Sequence, residues 1–146
     1  MECVKEAVRS LTGRFGTRDP FALCEGLDID VLEVELPANI KGFYARLHGA
    51  RLIFLNAGLD ERLRRVVCAH ELGHALLHAG CNSLFLSEST GFVAGRFERE
   101  ADLFAGYLLL DAGTLEDCRV NGWTAGQLAA LTGLEEGIVS ACLEEP

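Results

Sequence analysis

The chain has 146 residues, with 13 Lys+Arg against 22 Asp+Glu, a formal net charge of −9 and an apolar fraction of 49%. That length and apolar content suit a single domain over residues 1–146 with one core, and they exclude the disordered, collagen-like and low-complexity classes. The acidic balance repels phosphate, so no direct nucleic-acid binding and no membrane association is expected, and a protein or small molecule is the better partner.

The six cysteines, at positions 3, 24, 68, 81, 118 and 142, are too widely spaced for a CxxC pair or a zinc ribbon. They read as reduced, mostly buried thiols. The start of the chain lacks a basic then apolar leader, and no window approaches the roughly 18 apolar residues of a membrane span, so a cytoplasmic protein is expected.

Residues 3–15 place Val4, Val8, Leu11 and Phe15 at helical spacing, with Gly16 as the stop. Asp19-Pro20 opens a short helical turn through Cys24. From Ile29 the period changes to two and ends at Pro37, as a strand ends. Residues 42–47 and 51–55 read as a hairpin joined through His48-Gly49-Ala50, giving a small, largely antiparallel sheet. The 51–55 strand, which leads into the next helix, is a candidate edge for pairing with an extended substrate.

Asp60 then caps a helix that runs to Gly80 and is apolar nearly all round from Val66 to Ala79, except for three histidines and a glutamate. Such a helix carries those four groups into the interior, where something must satisfy them. Residues 80–96 read as a long loop with one short strand near 84–86, and residues 97–110 as a second strong helix. Residues 112–146 form a helical subregion. Within it Thr124-Ala125-Gly126-Gln127 fits a capping box, and Gly133 sits at the turn of a helix-turn-helix-like pair.

His70-Glu71-Leu72-Gly73-His74 is an HExxH sequence on the buried helix. Residues i and i+4 project about 40° apart, so both imidazoles converge on one zinc ion while the glutamate reaches the water that the ion activates. Glu71 is thereby the expected catalytic base. A third ligand is required. His78 lies about 12 Å along the helix from His70, too far to share an ion with it, and reads as a helix-end or packing residue.

Carboxylates on the second helix are better candidates. Glu100 has Phe97, Leu103, Phe104 and Tyr107 at i−3, i+3, i+4 and i+7, and a carboxylate on such an apolar stripe needs a cation, so Glu100 is the preferred third ligand. Glu98 lies on a small-residue face with Ala101 and Ala105, and its Glu-x-x-x-Asp spacing to Asp102 keeps it as the alternative. Asp102 is either an acceptor that fixes a ligand imidazole or a solvated charge. Tyr44, His48 and Tyr107 are possible transition-state donors with no distinguishing spacing.

The run from Ile53-Phe54-Leu55-Asn56 through HELGHALLH at 70–78, followed by Glu100-Ala101-Asp102-Leu103-Phe104-Ala105, resembles the ImmA/IrrE family of bacterial and phage metallopeptidases. The resemblance covers roughly residues 30–110. It implies His70, His74 and Glu100 as Zn2+ ligands, Glu71 as the base, and a helix-turn-helix repressor as the protein substrate. Where the family often has Met-Pro after the helix with the third ligand, Leu109-Leu110-Asp111 stands here.

The expected fold is α+β and zincin-like, a small antiparallel sheet packed on the HExxH helix with a helical C-terminus. The expected function is zinc-dependent endoproteolysis of a transcriptional repressor; the alternative is a non-proteolytic protein of the same fold that binds a repressor around a structural zinc. A DNA reader built on the C-terminal helices is disfavoured, because the second of them offers Glu135, Glu136, Glu144 and Glu145 and no Lys or Arg.

Overall fold

Helix α1 (Glu2–Phe15) buries Val4, Val8 and Leu11, and ends at Gly16 with φ of 66°, a conformation that a side chain would resist. Asp19 caps α2 (Pro20–Gly26) by accepting from the Phe21 amide at 3.2 Å. Pro20 stands in the first turn, where no amide donor is needed. The structure, a computed structural model, describes residues 2–78 and 91–144. The strand expected near 84–86, the stop at Gly80 and Cys81 lie outside the described residues.

Strands β1 (Ile29–Val34), β2 (Gly42–Leu47) and β3 (Ala50–Asn56) form a sheet of order β1-β3-β2. The β2–β3 ladder is antiparallel as expected, closed by a two-residue turn with positive φ at His48 and Gly49. The β1–β3 ladder is parallel, so the sheet is mixed. The physical reason lies in residues 35–41, which leave a strand's width open between β1 and β2 for β3 to fill. The 51–55 segment is therefore central, not an edge, and β1 and β2 are the outer strands among the described residues.

Asn56, at the end of β3, fastens that crossover. Its Nδ2 donates toward the carbonyls of Leu36, Pro37 and Ile40 at 3.1, 3.2 and 2.9 Å, and its backbone amide donates to the Lys41 carbonyl at 2.8 Å. One face of the sheet presents Val31, Tyr44 and Ile53 in register, with Tyr44 and Ile53 buried in the core. The other carries Leu32, Phe43 and Phe54, with the two phenyl rings stacked at 4.8 Å.

Helix α3 (Glu61–Leu77) starts where Asp60 Oδ1 accepts from the Leu63 amide at 2.9 Å. Helix α4 (Gly91–Leu109) begins six residues before the expected Phe97. Gly91 and Gly95 weaken the local helical signal, and the fold overrides it. The two helices pack closely at Gly73, where an added Cβ would lie 3.1 Å from Phe104 Cβ. Helices α5 (Ala112–Asn121), α6 (Ala125–Thr132) and α7 (Glu136–Glu144) complete an α+β architecture with a helical C-terminus. The Thr124–Gln127 capping box forms, and Gly133 turns the chain with φ of 87°. Arg62, at the start of α3, donates to the Ala130 carbonyl, and Gly106 of α4 lies against Cys142 and Ile138 of α7.

Candidate metal centre and cleft

Four polar side chains of α3 and its C-cap project into the protein, and the two later histidines are more deeply enclosed than the first. His70 keeps 16% of its side-chain surface, whereas His74 and His78 keep 1% and 2%. Glu71 is also buried, its Oε2 3.9 Å from His70 Nε2. Groups of this kind cannot be left unsatisfied in an apolar interior, and α4 supplies partners for the three histidines.

The carboxylate that faces both HExxH imidazoles is Glu98, not the Glu100 expected from the sequence. Glu98 Oε2 is 3.0 Å from His70 Nε2 and Oε1 is 2.8 Å from His74 Nε2. Glu100 instead reaches His78, with Oε1 3.0 Å from Nε2. The reason is the rotation of α4 about its axis. Its small-residue face, with Ala101 and Ala105 buried, places Glu98 and Asp102 over the half-open end of the histidine row. The apolar stripe carries Glu100 toward the closed end. The apolar neighbours of Glu100 mark it as enclosed, but they do not show which carboxylate meets the two HExxH imidazoles.

His70, His74 and Glu98 offer one donor atom each within 4.8 Å of one another, a grouping of metal-binding residues among the described residues. Two imidazole nitrogens and one carboxylate oxygen, partly open on one side, fit a metal ion that keeps a position for water or substrate. Asp102 Oδ1 lies 2.8 Å from His70 Nδ1, so it holds the far side of that ring and leaves Nε2 directed at the centre. This resolves the choice left open for Asp102 toward an imidazole partner. His78 does more than pack: its Nδ1 is 2.9 Å from His74 Nδ1, and its ring stacks on Phe97 with centroids 4.1 Å apart.

Electrostatics reflect this crowding. Burial opposes charge on His70, but the hydrogen bonds to Asp102 and Glu98 and the negative charge of Glu71 prevail and hold its pKa up to about 10. Burial would raise Glu98, yet hydrogen bonds from His70 and His74 hold it well below the usual carboxylate range. His78 is pushed down by burial, against the pull of Glu100. The Cys68 thiol, in contact with Cys24 at 3.9 Å between sulfurs, is pushed far up by that contact and by burial, so it is an inert core group.

A cleft of about 230 Å³ opens beside His70 and Glu71. It is lined by Lys41 and Gly42, by Val66 and Val67 of α3, by Leu134 of the turn between α6 and α7, and by Ile138 of α7. The helix-turn-helix-like segment thus lines the cleft. Tyr44 is buried in the core, His48 sits in the hairpin turn, and Tyr107 packs near Lys5 of α1; none of the three lines the cleft. Lys41, an exposed cation at the cleft wall, was not singled out by sequence reasoning, since it stands alone before a strand with no motif around it.

Comparison with known proteins agrees with this geometry. The IrrE N-terminal-like domain, peptidase family M78, matches residues 24–143. The chain is 34% identical over 131 residues to "Uncharacterized immunity region protein 2" of Bacillus phage phi105, covering 90% of this chain and 83% of that protein. It is 28% identical over 130 residues to "Metallopeptidase ImmA" of Bacillus subtilis (strain 168), covering 87% and 76%. An HExxH helix set against a carboxylate-bearing helix, in a sequence that matches this family over most of its length, identifies the chain as a member of the ImmA/IrrE family of metallopeptidases.

Proposed function

We propose that the chain is a zinc-dependent endopeptidase acting in the cytoplasm on a protein substrate, a partner helix-turn-helix transcriptional repressor. The observation that carries this reading is the position of Glu71, buried next to His70 and lining with it the cleft at the edge of the His70–His74–Glu98 grouping. His70, His74 and Glu98 would hold Zn2+, with Glu98 replacing the Glu100 expected from the sequence. Zinc bound there supplies a Lewis acid for the scissile carbonyl and lowers the pKa of water toward neutrality.

The remaining work belongs to the chain. Glu71 takes a proton from the attacking water and returns it to the leaving amine. Asp102 keeps the His70 ring oriented, and the apolar walls formed by Val66, Leu134 and Ile138 receive a substrate side chain beside the cut. The names of the phage and Bacillus relatives place such proteins in immunity regions and among metallopeptidases. That context favours a repressor as substrate.

The test is cleavage of a helix-turn-helix repressor protein by zinc-loaded protein, wild type against Glu71→Gln. The expected result is a loss of about 10²- to 10⁴-fold in rate with zinc content unchanged. A Glu71→Gln protein that holds zinc and still inactivates the repressor fully, without cutting it, would replace this reading with the binding-only alternative.

A further inference from the structure

We propose that His78 and Glu100 form a positioning pair that fixes the tautomer and aim of His74 toward the metal, an inference that rests on the metal-centre reading above. His74 is enclosed, with 1% of its side chain exposed, so water cannot complete its hydrogen bonding. Its Nε2 faces Glu98 at 2.8 Å and its Nδ1 faces His78 Nδ1 at 2.9 Å. Two ring nitrogens at that distance bond only when one carries a proton and the other a lone pair.

Glu100 decides which. An ionised carboxylate only accepts, so Glu100 Oε1, 3.0 Å from His78 Nε2, places the proton of a neutral His78 on Nε2. The lone pair of His78 is then on Nδ1, and His74 must donate its own Nδ1–H to it. In the metal-free fold His74 Nε2 donates to Glu98; once an ion takes the place of that proton, with Nδ1–H held by His78, the lone pair left on Nε2 is directed at the centre. The opposite tautomer of His74 would set two lone pairs against each other. Phe97, stacked on the His78 ring at 4.1 Å, holds the ring plane that this geometry needs. His70 receives the same service from Asp102 directly, at 2.8 Å. The buried imidazole obtains it through a second imidazole.

The experiment measures zinc affinity by competition with a chromophoric chelator, and the protonation pattern of the His74 ring by NMR of its nitrogens. The variants are His78→Leu, His78→Asn and Glu100→Leu, with thermal unfolding of the metal-free proteins as a control. His78→Leu is expected to weaken zinc binding about 10- to 100-fold and to mix the His74 tautomers, while the fold survives. The Asn side-chain oxygen stands near the position of the imidazole Nδ1, so His78→Asn should restore most of the affinity.

Unchanged zinc affinity in folded His78→Leu would overturn the proposal. So would a His78→Asn protein as weak as the Leu variant, since ring packing would then be the whole role. Should His78→Leu not fold, Glu100→Leu decides in the same way, because it keeps the ring and its stack. A wild-type protein that takes up no zinc would instead defeat the metal-centre reading itself, and this proposal with it.

Discussion

Glu98 and Glu100 stand two residues apart on one helix and serve opposite ends of the same row of histidines. The Glu98 side chain is 46% exposed and joins His70 and His74 at the cleft; that of Glu100 is 18% exposed and joins His78 in the interior. The open end has the donor geometry and the access that chemistry requires. The closed end has satisfied hydrogen bonds, and among the described residues neither His78 nor Glu100 lines the cleft. Two like residues thus diverge in role through about 200° of helix rotation.

The sharpest way to break this contrast is to remove each carboxylate in turn. Glu98→Ala is expected to abolish stoichiometric zinc uptake, whereas Glu100→Ala should retain it with an affinity lowered about 10- to 100-fold. Equilibrium dialysis followed by metal analysis reads both; the reverse order of effects would return the third-ligand role to Glu100.

A second prediction uses the proton held at the open end. With a pKa of about 10 in the metal-free fold, His70 is protonated at neutral pH, and a metal must displace that proton. Zinc affinity should therefore rise up to about tenfold per pH unit from pH 6.5 and level off as pH approaches about 10, checked by calorimetry in buffers of different ionisation enthalpy. For the stability of the metal-free protein the signs differ by group. The raised His70 contributes stability that is fully present below its ordinary value of 6.5 and is lost as pH rises through about 10. The depressed Glu98 contributes stability present above its ordinary value of 4.5 and lost as pH falls, and the lowered His78 also disfavours acid. A stability maximum near pH 6.5 follows, and denaturant melts across the pH range locate it.

The smallest expected effect tests the packing that both ends share. Gly73→Ala would push a methyl group toward Phe104, costing about 1–3 kcal/mol in stability. The shift should appear as a lowered denaturant midpoint with an unchanged slope. A neutral substitution would show that α3 and α4 are free to separate and that the helix contact does not set the donor distances.

Much of this arrangement is legible in the sequence because its rules are local. The HExxH spacing puts His70, Glu71 and His74 on one helix, and Asp60, Asp19 and Thr124 announce their helix starts through short-range hydrogen bonds. The third carboxylate is not local. Choosing between Glu98 and Glu100 needs the rotation of α4 against α3, which periodicity leaves undetermined once both a small-residue face and an apolar stripe exist on one helix. The parallel β1–β3 ladder is hidden for the same reason, since alternation in each strand says nothing of the order in which strands pair. His78 shows the limit most clearly. Its distance from His70 excludes it as a shared ligand, but only the tertiary structure brings Glu100 to its other nitrogen.

The clamp at Asn56 has a consequence for how such a protein can change. One side-chain amide ties the crossover of residues 36–40 to the end of β3, and the adjoining Lys41 and Gly42 line the cleft together with residues of the C-terminal segment. The donor triad is mounted on a different pair of elements, α3 and α4. The crossover thus borders the cleft without carrying any of the three donor groups, so its sequence can change while the His70–His74–Glu98 triad stays as it is.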